Sequence, residues 1–371
     1  MTLNHEIKEI KVHVINIPAK AVHSHGSGDV AVINSVIVEI ETDSGLIGWG
    51  EAAPWPVFTG TVEASAAALQ IYLRPKLIGK NPLEINKHLS MADEILVHCS
   101  EAKAALEVAL LDITGKIAKL PIAELLGGRN SNSIPLSFSV ANQNFNTDLD
   151  DIAKLYNDGI RIFKLKTGFA EHDFDLMRLE KLRKLYDEKI SLRIDYNQGL
   201  RAYDAIRTLK DVEQFKPTFI EQPVKKNELE YMAEITKNLD TPIMADESVF
   251  NVREAIVGVK MRIADIFSLK IMKSGGIRRA LEVASIAKAA GISIYGGCMF
   301  ETGIASTAGA HLMATIPDLH LGCEFYMPTY YLQEDILAQP FSIKNGQVQI
   351  PTKPGLGIEV NLDLLAKYRV K

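Results

Sequence analysis

Ionisable and polar side chains recur from residue 164 onward, each close behind a short apolar run. They are Lys164, Lys166, Asp195, Asn197, Glu221, Asp246, Glu247, Lys270, Glu301 and Glu324. Successive acidic members are separated by roughly the length of one strand-and-helix unit. Taken singly, each could be a solvated charge at a strand end, but the regular series favours a shared site.

Three of these carboxylates, Asp195, Glu221 and Asp246, follow three consecutive apolar runs. If those runs are neighbouring strands, the buried negative charges repel one another unless a cation sits between them. All-oxygen ligation with open positions suits Mg²⁺, and the series lacks the histidine and cysteine set that Zn²⁺ prefers. The pattern therefore predicts one Mg²⁺ per subunit, bound by carboxylates.

The lysines of the series can carry the acid/base chemistry. In Lys164-Leu165-Lys166, strand alternation directs both ammonium groups to the same side. Lys270 follows another apolar run four strand-and-helix units later, and so lies roughly opposite in an eight-membered ring. Two lysines placed in this way can flank one substrate carbon. Because they would be partly buried and close to a metal, we expect their pKa values to fall toward neutrality, as a general base requires.

Eight runs with strand character alternate with amphipathic helical stretches after Ser133. They are IPLSFSV, RIFKLKTG, ISLRIDYN, TFIEQP, PIMADES, IFSLKIM, ISIYGG and LHLGCEFY. Such alternation predicts parallel strands with helical crossovers, and eight units close into a barrel. An open dinucleotide-binding sheet is the weaker interpretation, because no glycine-rich fingerprint follows the first strand. We predict an α/β fold with a (β/α)8-type, TIM-like barrel over residues 131–336, whose strand ends bring the polar series to one mouth.

The segments on either side of the predicted barrel have a different pattern. Residues 1–130 begin with strand-like runs and a turn at Asp43-Ser44-Gly45, and become helical from about Thr61. We expect the last of these helices to end at Gly127-Gly128. This part is predicted to form an α+β capping domain. Residues 337–371 contain the strand-like run FSIKNGQVQI and are predicted to return to the capping domain.

The composition constrains the kind of partner. A net charge of -5 without a basic cluster argues against nucleic acid or anionic lipid. Three cysteines without paired spacing suit a reducing compartment, and no apolar stretch is long enough to cross a membrane. We therefore expect a cytoplasmic protein without nucleic-acid or membrane partners, which acts on a small molecule. We also expect it to form a homo-oligomer.

Five motifs in order, FKLKTG, RIDYNQG, FIEQP, ADES and LKIMKSGG, together with GWGEAAP and PGLG, resemble the enolase superfamily in its muconate-lactonizing-enzyme subgroup. The similarity runs over nearly the whole chain. It implies metal ligands at Asp195, Glu221 and Asp246, acid/base lysines at Lys166 and Lys270, and electrostatic assistance from Lys164. The reaction that it implies is removal of a proton beside a carboxylate, which gives an enediolate stabilised by the metal and by cations.

The subgroup includes dipeptide epimerases, muconate cycloisomerases, o-succinylbenzoate synthases and N-acylamino-acid racemases, which the core motifs do not distinguish. The segments GEAAPWPVFTG and GGCMFETGI resemble dipeptide epimerases of the L-Ala-D/L-Glu type, so the expected substrate is a dipeptide. Strand eight departs from their pattern, because it carries Glu324-Phe325-Tyr326 where they typically place Asp-x-Asp to bind the substrate's ammonium group. Glu324 also resembles the glutamate of muconate cycloisomerases, so cycloisomerization stays open. A non-enzymatic carboxylate-binding protein is the least favoured class, since no expected metal or acid/base position is lost.

The expected substrate contacts come from the barrel mouth and from two segments of the capping domain. They are Glu324, Asn197, Cys298, Met299, His25 and Phe58. The loop AVHSHGSGDV is expected to close over the site, where His23 and His25 either touch substrate or are simply solvated. Phe58 and Trp55 either form an apolar side-chain pocket or pack the capping domain onto the barrel.

Overall fold

A three-stranded antiparallel sheet opens the chain. In the computed structural model, which describes residues 5–25 and 28–370, strands β1 (Ile7–His25), β2 (Gly28–Thr42) and β3 (Ile47–Ala52) pair in the order β1-β2-β3. Their many β-branched residues fit a pleated surface with a buried face. The turn predicted at Asp43-Ser44-Gly45 joins β2 to β3, and Gly45 supplies the positive φ of 80° that this turn requires.

Helices pack against this sheet. They are α1 (Val62–Ala67), α2 (Arg74–Leu77), α3 (Ile85–Ile95), α4 (Ser100–Ala118) and α5 (Ile122–Leu125), with a π-helical segment, Ala68–Leu73, between the first two. The approach of α4 to β3 is so close that a Cβ at Gly50 would lie 1.9 Å from the carbonyl oxygen of Ala105. Glycine is therefore required at this crossing.

The expected end of the long helix at Gly127-Gly128 is wrong. The helix α4 ends at Ala118, and Lys119 takes a left-handed conformation with φ of 58°. Pro121 then blocks continuation of the helix, because it has no amide hydrogen to donate. The short strand β4 (Ser133–Pro135) follows α5.

Parallel strands form the barrel, in the order β11-β10-β9-β8-β7-β6-β5. They are β5 (Ser137–Val140), β6 (Ile162–Lys166), β7 (Ser191–Asp195), β8 (Ile220–Glu221), β9 (Ile243–Ala245), β10 (Ile266–Leu269) and β11 (Ser293–Gly296). A short eighth segment closes the ring, because Cys323 forms parallel bridges to Leu136 on one side and to Gly296 on the other. The predicted TIM-like barrel is confirmed.

Helices surround the barrel, and most of the longer ones are amphipathic. They are α6 (Phe145–Asn157), α7 (His172–Tyr186), α8 (Ala202–Glu213), α9 (Leu229–Asn238), α10 (Val252–Met261), α11 (Ile271–Ser274), α12 (Ile277–Ala289) and α13 (Gly303–Ala314), with a 3₁₀ turn, Asp187–Lys189, after α7. In α8, for example, Ala205, Leu209 and Val212 are buried at helical spacing. The apolar stripe of such a helix covers the outer face of the strands. Among the described residues, the helices include none that is both long and apolar enough to span a bilayer.

The C-terminal part of the chain contacts both the barrel and the first sheet. It contains a π-helical turn, Met327–Tyr331, the strands β12 (Ile343–Lys344) and β13 (Gln347–Gln349), and α14 (Leu362–Tyr368). Strand β13 pairs antiparallel with β4, whereas the amide of Val370 donates to the carbonyl of Val14 in β1 at 2.8 Å. The division of the chain at residues 130 and 336 stays a prediction.

The interior of the barrel has an apolar floor. It is formed by Phe219, Met244, Ile266, Tyr295 and Leu321. Because side chains alternate along a strand, the next inward positions toward the carboxyl ends are two residues later, at Glu221 after Phe219 and at Asp246 after Met244. The strands therefore present apolar side chains low in the barrel and charged side chains at its mouth.

Candidate active site

A cavity opens at the carboxyl ends of the strands. Its wall contains these side chains from the predicted set: Phe58, Lys164, Lys166, Asn197, Lys270, Cys298, Met299 and Glu324. It also contains His23, Trp55, Ser139, Phe300, Tyr326 and Met327. The cavity thus brings together residues from both ends of the chain. The side chain of His25 lies outside the described residues.

Lys164 lies at the centre of the charged cluster and is almost completely buried. Its Nζ contacts Glu221 Oε2 at 2.6 Å, Glu324 Oε1 at 2.7 Å and Asp195 Oδ2 at 3.5 Å. Burial opposes the charge of Lys164, but the carboxylates of Glu221 and Glu324 outweigh it and raise its pKa well above the ordinary value. These carboxylates therefore favour the protonated, cationic form of Lys164.

Lys166 is the last residue of β6 and Lys270 directly follows β10. These two strands face each other across the ring, since three strands separate them. Lys166 Nζ is 2.5 Å from Asp195 Oδ2 and 3.1 Å from Asn197 Oδ1. Lys270 Nζ is 2.5 Å from Asp246 Oδ2 and lies 4.6 Å from the centroid of the Phe58 ring. Both side chains line the same cavity.

The expected fall in lysine pKa is not found at Lys270. Burial lowers the pKa of Lys270, but the nearby carboxylates of Asp246, Glu221 and Glu247 outweigh it, and the net shift is upward. The sequence pattern indicated the burial correctly. It did not indicate that Asp246 would lie in direct contact with the ammonium group.

The predicted metal ligands lie on neighbouring strands, and each contacts a lysine. Burial opposes ionisation of Asp195, yet Lys166 and Lys164 bring its pKa down to about 2. Glu221 behaves in the opposite way, because burial and the charge of Asp195 raise its pKa well above the ordinary value. Opposite pKa shifts in two adjacent carboxylates indicate that negative charge at the mouth of the barrel is not fully balanced.

The donors at the mouth fit a hard divalent cation, although they do not form a ready metal cage. In the part of the chain that the structure describes, no group of three His, Cys, Asp or Glu side chains is arranged to hold a metal ion. However, Glu221 Oε1 and Glu247 Oε2 are buried oxygens without a hydrogen-bond partner. Buried oxygens of this kind need a donor or a cation, and Mg²⁺ prefers oxygen ligands. Asp195, Glu221 and Asp246 could therefore hold Mg²⁺ once their contacts with lysines rearrange.

Glu324 is already engaged within the protein. Its Oε1 accepts hydrogen bonds from Ser139 Oγ at 2.9 Å and from Lys164 Nζ at 2.7 Å. Its backbone carbonyl accepts from the thiol of Cys298 at 3.2 Å. Burial and the charge of Glu324 raise the pKa of that thiol well above the ordinary value, so Cys298 stays a thiol at the strand end. Its contact with substrate stays a prediction.

Aromatic side chains cover the cavity on the side of the first sheet. The rings of Trp55 and Phe58 stack at 6.1 Å, and Phe300 meets Trp55 edge to face at 5.5 Å. His23, which is buried near the end of β1, meets Phe300 at 5.8 Å. The expected loop around His23 is thus largely strand, and His23 is not a solvated residue. The ring of Phe58 lines the cavity and packs on the ammonium group of Lys270. Its contact with a substrate side chain stays a prediction.

Sequence reasoning missed several residues of the site. Ser139 lies at the end of β5, where the strand-end rule that found the other residues also applies. Lys273 falls within the motif LKIMKSGG, and its buried ammonium group binds the carboxylate and the carbonyl of Asp246, each at 2.8 Å. Tyr326 and Met327 lie two and three residues after Glu324, but neither residue type indicated a role in the cavity wall.

Comparison with known proteins identifies the family. Residues 9–127 match the N-terminal domain model of mandelate racemase and muconate lactonizing enzyme, and residues 148–364 match the enolase C-terminal domain-like model. Members of this family generally bind Mg²⁺. The two matches together cover most of the chain.

Individual relatives are epimerases and cycloisomerases. The chain is 33% identical to an L-Ala-D/L-Glu epimerase of Clostridium acetobutylicum, over 95% of this chain and 98% of that protein. It resembles the structure of a muconate lactonizing enzyme from Pseudomonas fluorescens complexed with muconolactone, with 31% identity, a TM-score of 0.96, and 99% and 100% of the two chains covered. A muconate cycloisomerase structure from Azorhizobium caulinodans shows 42% identity and a TM-score of 0.87, with 99% of each chain covered. The chain therefore belongs to the muconate lactonizing enzyme group of the enolase superfamily, and it is an isomerase.

Proposed function

We propose that this protein is a Mg²⁺-dependent epimerase that acts on dipeptides of the L-Ala-D/L-Glu type. The observation that carries the proposal is the placement of Lys166 and Lys270, which lie at the carboxyl ends of opposite strands and line one cavity. Inversion of a carbon centre requires proton removal from one face and proton return to the other. Two lysines that face each other across the substrate meet this requirement.

The remaining charged residues have roles that suit the same reaction. One lysine takes the α-proton, and the opposite lysine returns a proton to the other face of the carbon. The charge that develops on the substrate carboxylate would lie near Lys164, whose ammonium group stays protonated. Mg²⁺, held by Asp195, Glu221 and Asp246, would supply further stabilisation of that negative charge.

The cavity suits a small substrate with polar and apolar parts. Trp55, Phe58 and Met299 supply an apolar wall for a side chain, and Asn197 and Glu324 supply polar groups. We assign Glu324 to the substrate's ammonium group, since it is the carboxylate that strand eight contributes.

A dipeptide library incubated with enzyme and Mg²⁺ in D₂O tests this function. An epimerase replaces the α-hydrogen with deuterium and yields both epimers, which mass spectrometry and chiral chromatography detect. N-acetylated dipeptides should be poor substrates, since they lack the ammonium group. Faster turnover of N-acetyl amino acids or of muconate than of free dipeptides would show that the epimerase assignment is wrong.

A second candidate, muconate-type cycloisomerization, is favoured by the contacts of Glu324. Because Lys164 already neutralises this carboxylate at 2.7 Å, the site also suits a substrate without an ammonium group. The 42% identity to a muconate cycloisomerase structure points in the same direction. Loss of the ultraviolet absorbance of cis,cis-muconate, with no deuterium entering any dipeptide, would select this function.

A further inference from the structure

A buried arginine lies behind the strand that carries Lys164 and Lys166. Arg178, on α7, has 0% of its surface exposed. Its Nη2 donates a hydrogen bond to the carbonyl oxygen of Lys166 at 2.8 Å and another to Asp175 Oδ1 at 2.5 Å. The backbone of Lys166 is thus held by a charged donor, which makes a stronger hydrogen bond than a neutral one.

The guanidinium group itself is fixed in place. Its Cζ lies 4.9 Å from the ring centroids of both Phe169 and Phe174. Asp175 Oδ2 also accepts from the amide of Gly168 at 3.3 Å. The turn that follows Lys166 is therefore tied to α7 through the carbonyl of Lys166, the amide of Gly168 and the ring of Phe169.

The opposite lysine is held in a different way. The carbonyl of Lys270 accepts from the amide of Ser274 at 3.2 Å, as part of the short helix α11. An ordinary helical hydrogen bond fixes the strand end on that side. A change at Arg178 should therefore act on one lysine and spare the other.

We propose that Arg178 is a positioning residue for Lys166, and that it fixes the end of β6 so that the ammonium group meets the substrate carbon from one face. This inference rests on the proposed two-lysine reaction. A reacting group displaced by about 1 Å can lose about a hundredfold in rate. Loss of the Arg178 contact should accordingly slow the step on one face only.

The first experiment compares two variants with a matched control on the same helix. Arg178→Met removes the donor, and Arg178→Lys keeps a charge with fewer donors. Arg183→Met is the control, because Arg183 also donates to backbone carbonyls, those of Phe215, Lys216, Asp187 and Ile190. Deuterium exchange in D₂O is measured for each epimer separately. The Lys166-dependent epimer is the one whose exchange is lost in the variant Lys166→Ala.

Arg178→Met should slow exchange of the Lys166-dependent epimer by roughly tenfold to a hundredfold. Exchange of the other epimer should change by less than about threefold, because its base is not displaced. Arg178→Lys should fall between Arg178→Met and the native protein, and Arg183→Met should affect both epimers equally. Equal slowing of both epimers by Arg178→Met would overturn the proposal, since a purely structural role has that effect.

A second measurement does not depend on turnover. Reductive methylation of the substrate-free protein, read by peptide mass spectrometry, reports the accessibility and order of each lysine. The side chains of Lys166 and Lys270 are 12% and 8% exposed, so both react slowly in the native protein. Arg178→Met should speed labelling of Lys166 several-fold and leave Lys270 unchanged. If native enzyme exchanges no dipeptide, the proposed function fails, and unchanged labelling of Lys166 in the variant would separately refute the role of Arg178.

Discussion

Each carboxylate predicted to bind Mg²⁺ forms a close contact with a lysine. Lys166 contacts Asp195, Lys164 contacts Glu221, and Lys270 contacts Asp246. The carboxylates and two of these lysines are almost fully buried. Removal of one partner would leave the other as an unpaired buried charge, which lowers the stability of the fold. A substitution at one of these residues therefore changes the charge balance of the whole mouth as well as the chemistry of one group.

Asp246→Asn is expected to weaken Mg²⁺ binding by at least about a hundredfold and to abolish turnover, because it removes charge from a hard-cation site. It should also lower the free energy of unfolding by about 3 kcal/mol, since Lys270 and Lys273 both lose their carboxylate partner. Calorimetric titration with Mg²⁺ and urea denaturation measure the two effects. Asp204→Asn, at a carboxylate on α8 away from the mouth, is the control.

Asp195→Asn and Glu221→Gln should likewise lose Mg²⁺ affinity and turnover. Full activity of the native enzyme in EDTA, after metal removal has been verified, would contradict the whole metal assignment.

Lys166→Ala and Lys270→Ala are each expected to stop epimerization, because inversion needs both lysines. Each variant should still exchange the α-proton of the epimer that faces the surviving lysine. Proton exchange in D₂O, followed by NMR for each pure epimer, makes this measurement. Equal exchange of both epimers by either variant would show that the lysines do not divide the two faces between them.

At the scale of elements, the sequence predicted the strands and the residues at their ends. Period-two alternation and the βα spacing depend on local chain geometry, so Lys164, Asp195 and Glu221 could be placed from pattern alone. The contact between Phe58 and Lys270 could not, because it joins a loop after β3 to the end of β10. The pairing of Glu324 with Lys164 was missed for the same reason. The spacing of residues along the sequence does not indicate which charged side chains of distant strands will be in contact.

Glu51, at the end of β3, joins the first sheet to α13. Its buried carboxylate accepts from Ser35 Oγ at 2.8 Å, from the amide and hydroxyl of Thr302 at 2.9 and 2.6 Å, and from the amide of Ala305 at 3.0 Å. Glu51→Ala leaves these donors without a partner and should lower the free energy of unfolding by about 3–5 kcal/mol. Urea denaturation measures the loss.

Glu41→Ala is the matched control for Glu51, because Glu41 lies in the same sheet but pairs with the exposed Lys8. A surface pair of this kind is worth about 1 kcal/mol or less. Similar losses in the two variants would contradict the view that Glu51 holds the sheet to the barrel.

At the scale of the whole molecule, His311 joins three distant parts of the chain. On α13, its Nδ1 accepts from the amide of Ala123 in α5, and its Nε2 lies 3.0 Å from the carbonyl oxygen of Leu356. Burial lowers the pKa of His311 from 6.5 to about 4, because a charged ring would lose its hydration and the hydrogen bond to Leu356 offsets only part of that cost. The neutral ring is therefore part of the native packing.

The low pKa of His311 makes stability depend on pH. Between pH 6.5 and 4 the unfolded chain binds a proton that the folded protein does not, so this contribution is complete above pH 6.5 and is lost as the pH falls to about 4. From pH 7 to pH 5 the loss should be about 2 kcal/mol. In His311→Gln, the free energy of unfolding measured with urea should vary less between these pH values. His320→Gln changes an exposed histidine and should keep the pH dependence of the native protein. Parallel curves for native protein and His311→Gln would rule out this source of acid sensitivity.

Because Cys323 forms the bridges to Leu136 and Gly296, the barrel cannot close during synthesis until the segment around Cys323 has been made. The edge of the first barrel strand leaves the ribosome long before the segment that will pair with it, and stays uncovered for roughly 10 to 40 s at ordinary elongation rates. An uncovered strand edge is a template for pairing with another chain. The residues that complete the mouth of the barrel therefore also end the interval in which the newborn chain is most exposed to aggregation.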